Sequence, residues 1–267
     1  MQGSVGESVR SPRAFVALGA AFAVLVLGFV RLPVQLAALC SPITPRDQHG
    51  IIALLVPAVV ASWGSSDAEP TADLLALEGY WMRFHLFKAA FAMAATVVIV
   101  LLGRALWRAG HVWGAALLAA PGLLGLVALL ANLQGAVAPG PSLQSMLPLP
   151  RDGSLGAVLL DVRADLARQG SGVVRSVRVD RLITDFALYH WVFAALSGVT
   201  AIVLAVALLR WRHTPAPSLA DARSARRARR VLLIGGALSS LAWAVLCVAN
   251  LSNALHPVSG LLGWLRL

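Results

Sequence analysis

The sequence predicts an all-α, polytopic membrane helix bundle with five transmembrane helices. Three observations carry that expectation. Hydrophobic residues make up 58% of the 267-residue chain and charged residues 13%, with a mean hydropathy of +0.78; soluble domains run near half apolar and a quarter charged. Five stretches, 14–39, 84–106, 112–134, 188–210 and 231–253, reach the roughly 20 apolar residues that a spanning helix needs. Basic residues concentrate in alternate connecting segments. A soluble enzyme and a disordered regulator are thereby excluded. Two cysteines, Cys40 and Cys247, are too few for a disulfide framework or a Cys-type zinc site.

Taken in order, residues 1–13 form a basic N-terminus with Arg10 and Arg13. The apolar run behind them is too long for a signal-peptide core, so an uncleaved first helix is expected. The segment 14–139 holds the first repeat and the third helix. Within it, Ile51 to Trp63 is only 13 residues long and contains Pro57, which suits an interfacial or re-entrant helix. Asp67 to Thr71 opens a short helix expected to end at Leu77. The segment 140–187 reads as an extracytoplasmic cap. There Leu155, Val158, Leu159, Val162 and Leu166 recur at helical spacing, and Ser171 to Asp180 suggests a short extended stretch. The segment 188–257 carries the second helix pair, joined by the stiff turn at Thr214 and a basic helix start over 218–230. Residues 258–267 form the tail.

Orientation follows from the Lys/Arg bias. With the N-terminus cytoplasmic, the inner segments hold 11 basic residues against Glu7 and Asp221, and the outer segments hold 9 basic and 10 acidic residues. The formal net charge of +10 is then a topology signal, and no nucleic-acid partner is expected. The expected location is a bacterial plasma membrane, with the C-terminus extracytoplasmic. The basic stretch over 218–230 is read as an anchor on anionic headgroups.

The chain matches itself at an offset of 105 residues. Arg46-Asp47 falls on Arg151-Asp152, Leu54-Leu55 on Leu159-Leu160, and Phe84-His85 on Tyr189-His190. The odd-numbered helices end alike: Gln35-Leu36 precedes Pro42, Asn132-Leu133 precedes Pro139, and Asn250-Leu251 precedes Pro257, each with five residues between. A parallel internal duplication about an axis along the membrane normal is expected. The Ala/Arg-rich composition and the twice-used Ala-Asn-Leu-x-x-Ala-x-x-Pro ending resemble multi-pass membrane proteins of high-GC actinobacteria. The resemblance covers helices 2 to 5 and implies a fold but no activity.

Polar side chains inside a span are costly and mark candidate sites. Gln35, His85, Asn132, His190 and Asn250 fall at similar depth in the outer leaflet, with Arg31 a turn from Gln35 and Lys88 three residues from His85. These seven are the expected ligand-binding pocket. An interface belt beside Tyr80, Trp81, Tyr189 and Trp191 and interhelical amide bonds are the other reading. His85 and His190 also satisfy the minimum for a bis-histidine haem, and a zinc or copper site would add His49 or His256. No H-E-x-x-H, G-x-S-x-G or phosphate-binding loop occurs, so no catalytic residue is assigned. The expected function is non-catalytic: an accessory or binding protein that recognises a small molecule, lipid headgroup or partner protein at the outer leaflet. A haem- or metal-binding redox subunit using His85 and His190, and a small permease, remain the alternatives.

Overall fold

The computed structural model describes residues 12–45, 47–64, 69–148, 153–168, 176–213 and 222–265. Among them every regular element is an α-helix: α1 Pro12–Leu39, α2 Gln48–Gly64, α3 Ala72–Arg108, α4 Val112–Leu117, α5 Ala119–Val137, α6 Pro139–Gln144, α7 Gly153–Ala167, α8 Val177–Arg212, α9 Ala222–Leu255 and α10 Pro257–Trp264. Five helical stretches are long and apolar enough to cross a bilayer, with α4 and α5 together making the third. The chain is a multi-pass helical membrane protein. Leu27, Val30, Leu124, Ile202 and Leu238 are each more than 60% exposed, as side chains that face lipid tails should be.

Three of the long helices outrun the apolar spans. At 1.5 Å per residue the 37 residues of α3 reach about 55 Å, against about 30 Å of hydrocarbon. The short helix expected to end at Leu77 therefore does not exist separately. Thr71 caps α3 by accepting from the Leu74 N–H at 3.4 Å, Asp73 lies in the first turn, and the helix then continues without a break to Arg108. In α8 a similar start replaces the expected extended stretch. The Ser176 hydroxyl accepts from the Val179 N–H at 3.4 Å and donates to Asp165 at 2.7 Å, so Val177 and Val179 belong to a first helical turn; residues 171–175 lie outside the described set. The third span divides because Pro121 has no N–H to give back to the preceding turn.

The chain packs as two compact units. One comprises 1–31, 88–131 and 196–247. Its helices approach through small residues: Gly28 lies against the Phe91 ring, Gly125 against Thr96, Gly198 against Cys247 and Gly236 against Leu208. Ser240 donates to the Ala201 carbonyl at 2.9 Å. Close backbone approach and interhelical hydrogen bonds are what hold helices together when lipid removes the hydrophobic drive between them.

The other unit comprises 32–87, 132–195 and 248–267. Here α2 is capped by Asp47, whose side chain accepts from Gly50 N–H at 2.8 Å. It buries Ile51, Leu55, Ala58 and Val59 against Leu155, Leu159, Val162 and Leu166 of α7. The run from Ile51 to Trp63 thus belongs to a 17-residue helix packed on α7. Burial of each such aliphatic side chain contributes about 1.5–3 kcal/mol, and Leu261 of α10 and Tyr80 of α3 complete the same core. α6 and α10 start alike, each with proline at its first position after a residue held near φ −128° (Ala138) or −125° (His256).

Candidate functional site

In the second unit two histidine–asparagine pairs have the same geometry. His85 Nδ1 lies 2.8 Å from Asn132 Oδ1, and His190 Nδ1 lies 2.8 Å from Asn250 Oδ1. An amide oxygen only accepts, so each imidazole carries its proton on Nδ1. The first pair continues into a relay. Trp81 Nε1–H donates to the Ser142 hydroxyl at 3.0 Å, and that hydroxyl lies 3.3 Å from His85 Nε2, to which it donates. Both nitrogens of His85 are therefore engaged, and the Trp81 indole lies edge-on to its ring at 4.8 Å. Gly135 makes room for it: a Cβ there would sit 2.7 Å from the imidazole. His190 packs against the rings of Phe186 and Tyr189, at 4.4 and 5.5 Å between centroids. Gln134, buried like Asn132, donates to the Tyr189 carbonyl at 3.0 Å.

Of the seven expected pocket residues, the structure joins four, as two pairs. Gln35 and Arg31 are exposed, and Lys88 places its ammonium 4.5 Å from the centre of the Phe29 ring, a cation–π contact. None of the seven lines the charged cleft of this unit, which other residues build.

That cleft is centred on Arg181. Its Nη2 donates to Glu78 Oε2 at 3.3 Å, its Nε to Asp185 Oδ2 at 3.4 Å, and its Nη1 lies 3.9 Å from Glu69 Oε2. Arg178 donates to the Trp63 carbonyl and pairs with Asp161 at 3.2 Å. Gly140 forms one wall, where a Cβ would come within 3.0 Å of Glu78 Oε1. The cleft holds about 30 Å³, room for one or two waters. Glu78 and Asp185 sit on the polar extensions of α3 and α8, beyond the apolar spans. Burial raises both carboxyls above their ordinary values, and Arg181 opposes that rise in each; Asp185 adds to it for Glu78.

Sequence reasoning missed this cleft. The Arg181–Asp185 spacing of four on one helix face was available as a signal, but Glu78 is 103 residues from Arg181 and only the fold brings them together. Ser142 gave no signal at all. Among the described residues no cluster of three or more His, Cys, Asp or Glu is arranged to hold a metal ion. Comparison of the chain with protein-family models, curated proteins and solved structures returned no match.

Proposed function

We propose that the chain is a non-catalytic accessory protein of a bacterial plasma membrane, and that it docks a partner membrane protein at the outer leaflet through the Arg181 cleft. The single observation that carries this reading is the cleft's composition. Three carboxylates surround one guanidinium, and Glu69, with its side chain 88% exposed, stands at the rim. The surplus negative charge suits a basic side chain that a partner presents at the rim beside Glu69. The cytoplasmic N-terminus, the outward cap and the resemblance to actinobacterial multi-pass proteins rest on the charge bias and helix-end motifs of the sequence. The matched His–Asn pairs and the alike starts of α6 and α10 support a parallel duplication.

The haem reading is the weaker one. Ligation through His85 would break either the bond to Asn132 or the bond to Ser142. The test is a photo-cross-linking residue at Glu69 in native membranes, with Leu238 as a control position on an apolar helix face. A discrete adduct from position 69, lost when Glu78→Gln and Asp185→Asn remove the carboxylate surplus, is expected. An adduct indifferent to Glu78→Gln with Asp185→Asn, or equal labelling from Leu238, overturns the proposal, and a Soret band in the purified protein would favour the redox alternative.

A further inference from the structure

The first unit carries a feature that the cap-side reading does not use. An apolar groove of about 530 Å³ opens between its helices, within the roughly 300–1,000 Å³ range of ligand pockets. Ile99, Leu123, Leu126 and Leu204 supply apolar wall, and Gly103 and Gly235 leave space where side chains would otherwise stand. A Cβ at either glycine would meet nothing within 4 Å.

The second observation lies on the same helix. Arg223, Arg226, Arg227 and Arg230 of α9 surround a separate cleft of about 230 Å³. Their spacing of three and four puts them on one face, and the row from Arg223 through Arg227 continues at the same interval into Val231 and Gly235 of the groove. From Arg227 to Val231 is about 6 Å along the axis. Charge does the rest. Among its described residues this unit carries twelve Arg or Lys and no Asp or Glu. The cleft is lined by four guanidinium side chains, and membrane lipid supplies anions that match them.

We infer that this juxtaposition is a binding site for one anionic diacyl phospholipid, its phosphate held by Arg227 and Arg230 and one acyl chain lying in the groove beside Gly235. Guanidinium forks match phosphate oxygens in pairs, and the spacing of about one helical turn between arginines and groove matches a headgroup joined directly to its chain. A zwitterionic lipid offers the arginines a phosphate but also a competing cation, so selectivity for net negative charge follows. Free phosphate fills only the arginine cleft and lacks the apolar half of the site.

The experiment is native mass spectrometry of the full chain in detergent, titrated with phosphatidylglycerol, phosphatidylcholine or inorganic phosphate. The expected result is one retained phosphatidylglycerol per chain, bound about tenfold or more tighter than phosphatidylcholine and not displaced by phosphate. The pair Arg227→Gln and Arg230→Gln should abolish that preference, and Arg227→Lys with Arg230→Lys should keep most of it. Gly235→Leu fills the groove, leaves the charge untouched and should weaken retention about tenfold; Arg168→Gln, in the other unit, should change nothing. Circular dichroism confirms that each variant is helical. Equal binding of the two lipids overturns the inference. So does displacement by phosphate, and so does a folded Gly235→Leu chain that holds phosphatidylglycerol as before.

Discussion

Replacing Gly135 by alanine tests the His85 relay through a single methyl group. In an unobstructed helix this exchange stabilises by up to about 1 kcal/mol. Here the new Cβ would lie 2.7 Å from both Cδ2 and Nε2 of His85, closer than real Cβ contacts come. The ring cannot simply step aside, because Nδ1 is bonded to Asn132 at 2.8 Å and Nε2 faces Ser142 at 3.3 Å, with Trp81 edge-on. Overpacking costs about 1–3 kcal/mol, and displacement of the ring forfeits about 1 kcal/mol for each hydrogen bond lost. After the propensity gain, a net destabilisation of about 1–4 kcal/mol is expected. Gly103→Ala is the control, since a Cβ there meets nothing within 4 Å, and it should be neutral or mildly stabilising. The assay is loss of helical circular dichroism on titrating detergent-solubilised protein with SDS. Adding His85→Ala to Gly135→Ala should remove most of the overpacking part of the cost. A Gly135→Ala chain as stable as the Gly103→Ala chain would refute the tight packing of the relay.

Three further outcomes follow from the same geometry. Asn132→Leu and Asn250→Leu each leave a histidine Nδ1–H without its amide acceptor and should each cost about 1–3 kcal/mol in the same SDS titration; a large cost at one position and none at the other contradicts the equivalence of the pairs. Glu78 and Asp185 have folded values raised above 4.5 and 3.8, so they favour folding below those ordinary values and that contribution is lost as pH rises through the raised ones. Unfolding midpoints should therefore fall across that window, and Glu78→Gln should flatten the slope; an unchanged slope sinks the assignment. For topology, cysteines are placed at Glu69 and Arg226 in a chain lacking Cys40 and Cys247. The first should react with an impermeant thiol reagent in intact cells and the second should not, and the opposite pattern reverses the orientation.

What the sequence made legible, and what it hid, divides along a physical line. Hydropathy reports the cost of placing a residue in hydrocarbon, so the five spans were readable from windows of about 20 residues. The same measure is blind to helix that continues into polar surroundings. Ahead of the spans the expectation is therefore only a short helix ending at Leu77 and an extended stretch over Ser171 to Asp180, although Thr71 and Ser176 are both recognisable caps. The His–Asn pairs were half legible. Matching motifs placed His85 with His190 and Asn132 with Asn250 at one depth, but which imidazole meets which amide is a tertiary fact. Gln35 shares the motif position of the two asparagines and is nevertheless exposed. Arg181 looked like one basic residue among many, because an ion pair across 103 residues leaves no local trace.

The distribution of counter-charge links the two proposals. In the unit that contains α2 and α7, acidic and basic residues accompany one another, and Arg168, Arg178 and Arg181 all lie within 4 Å of carboxylates of the same unit. A charge already paired within the protein contributes little to association with a lipid surface. What remains available is the surplus of carboxylates around Arg181, which selects for a cation presented in a fixed geometry. The other unit has basic residues and no acid among those described. Arg229 donates to the Trp211 carbonyl and lies over its ring, a contact that holds α9 against α8, while Arg223, Arg227 and Arg230 occupy another face of the helix. Mutual repulsion along that face would weaken the first turns of α9 unless anions screen it. A bound phospholipid therefore has a structural consequence that can be measured apart from binding itself. Adding phosphatidylglycerol should slow amide exchange over 222–232, while exchange over 153–167 stays as it was. Equal protection of both segments would mean that the lipid acts on the whole chain as solvent and that the arginine face is not its site.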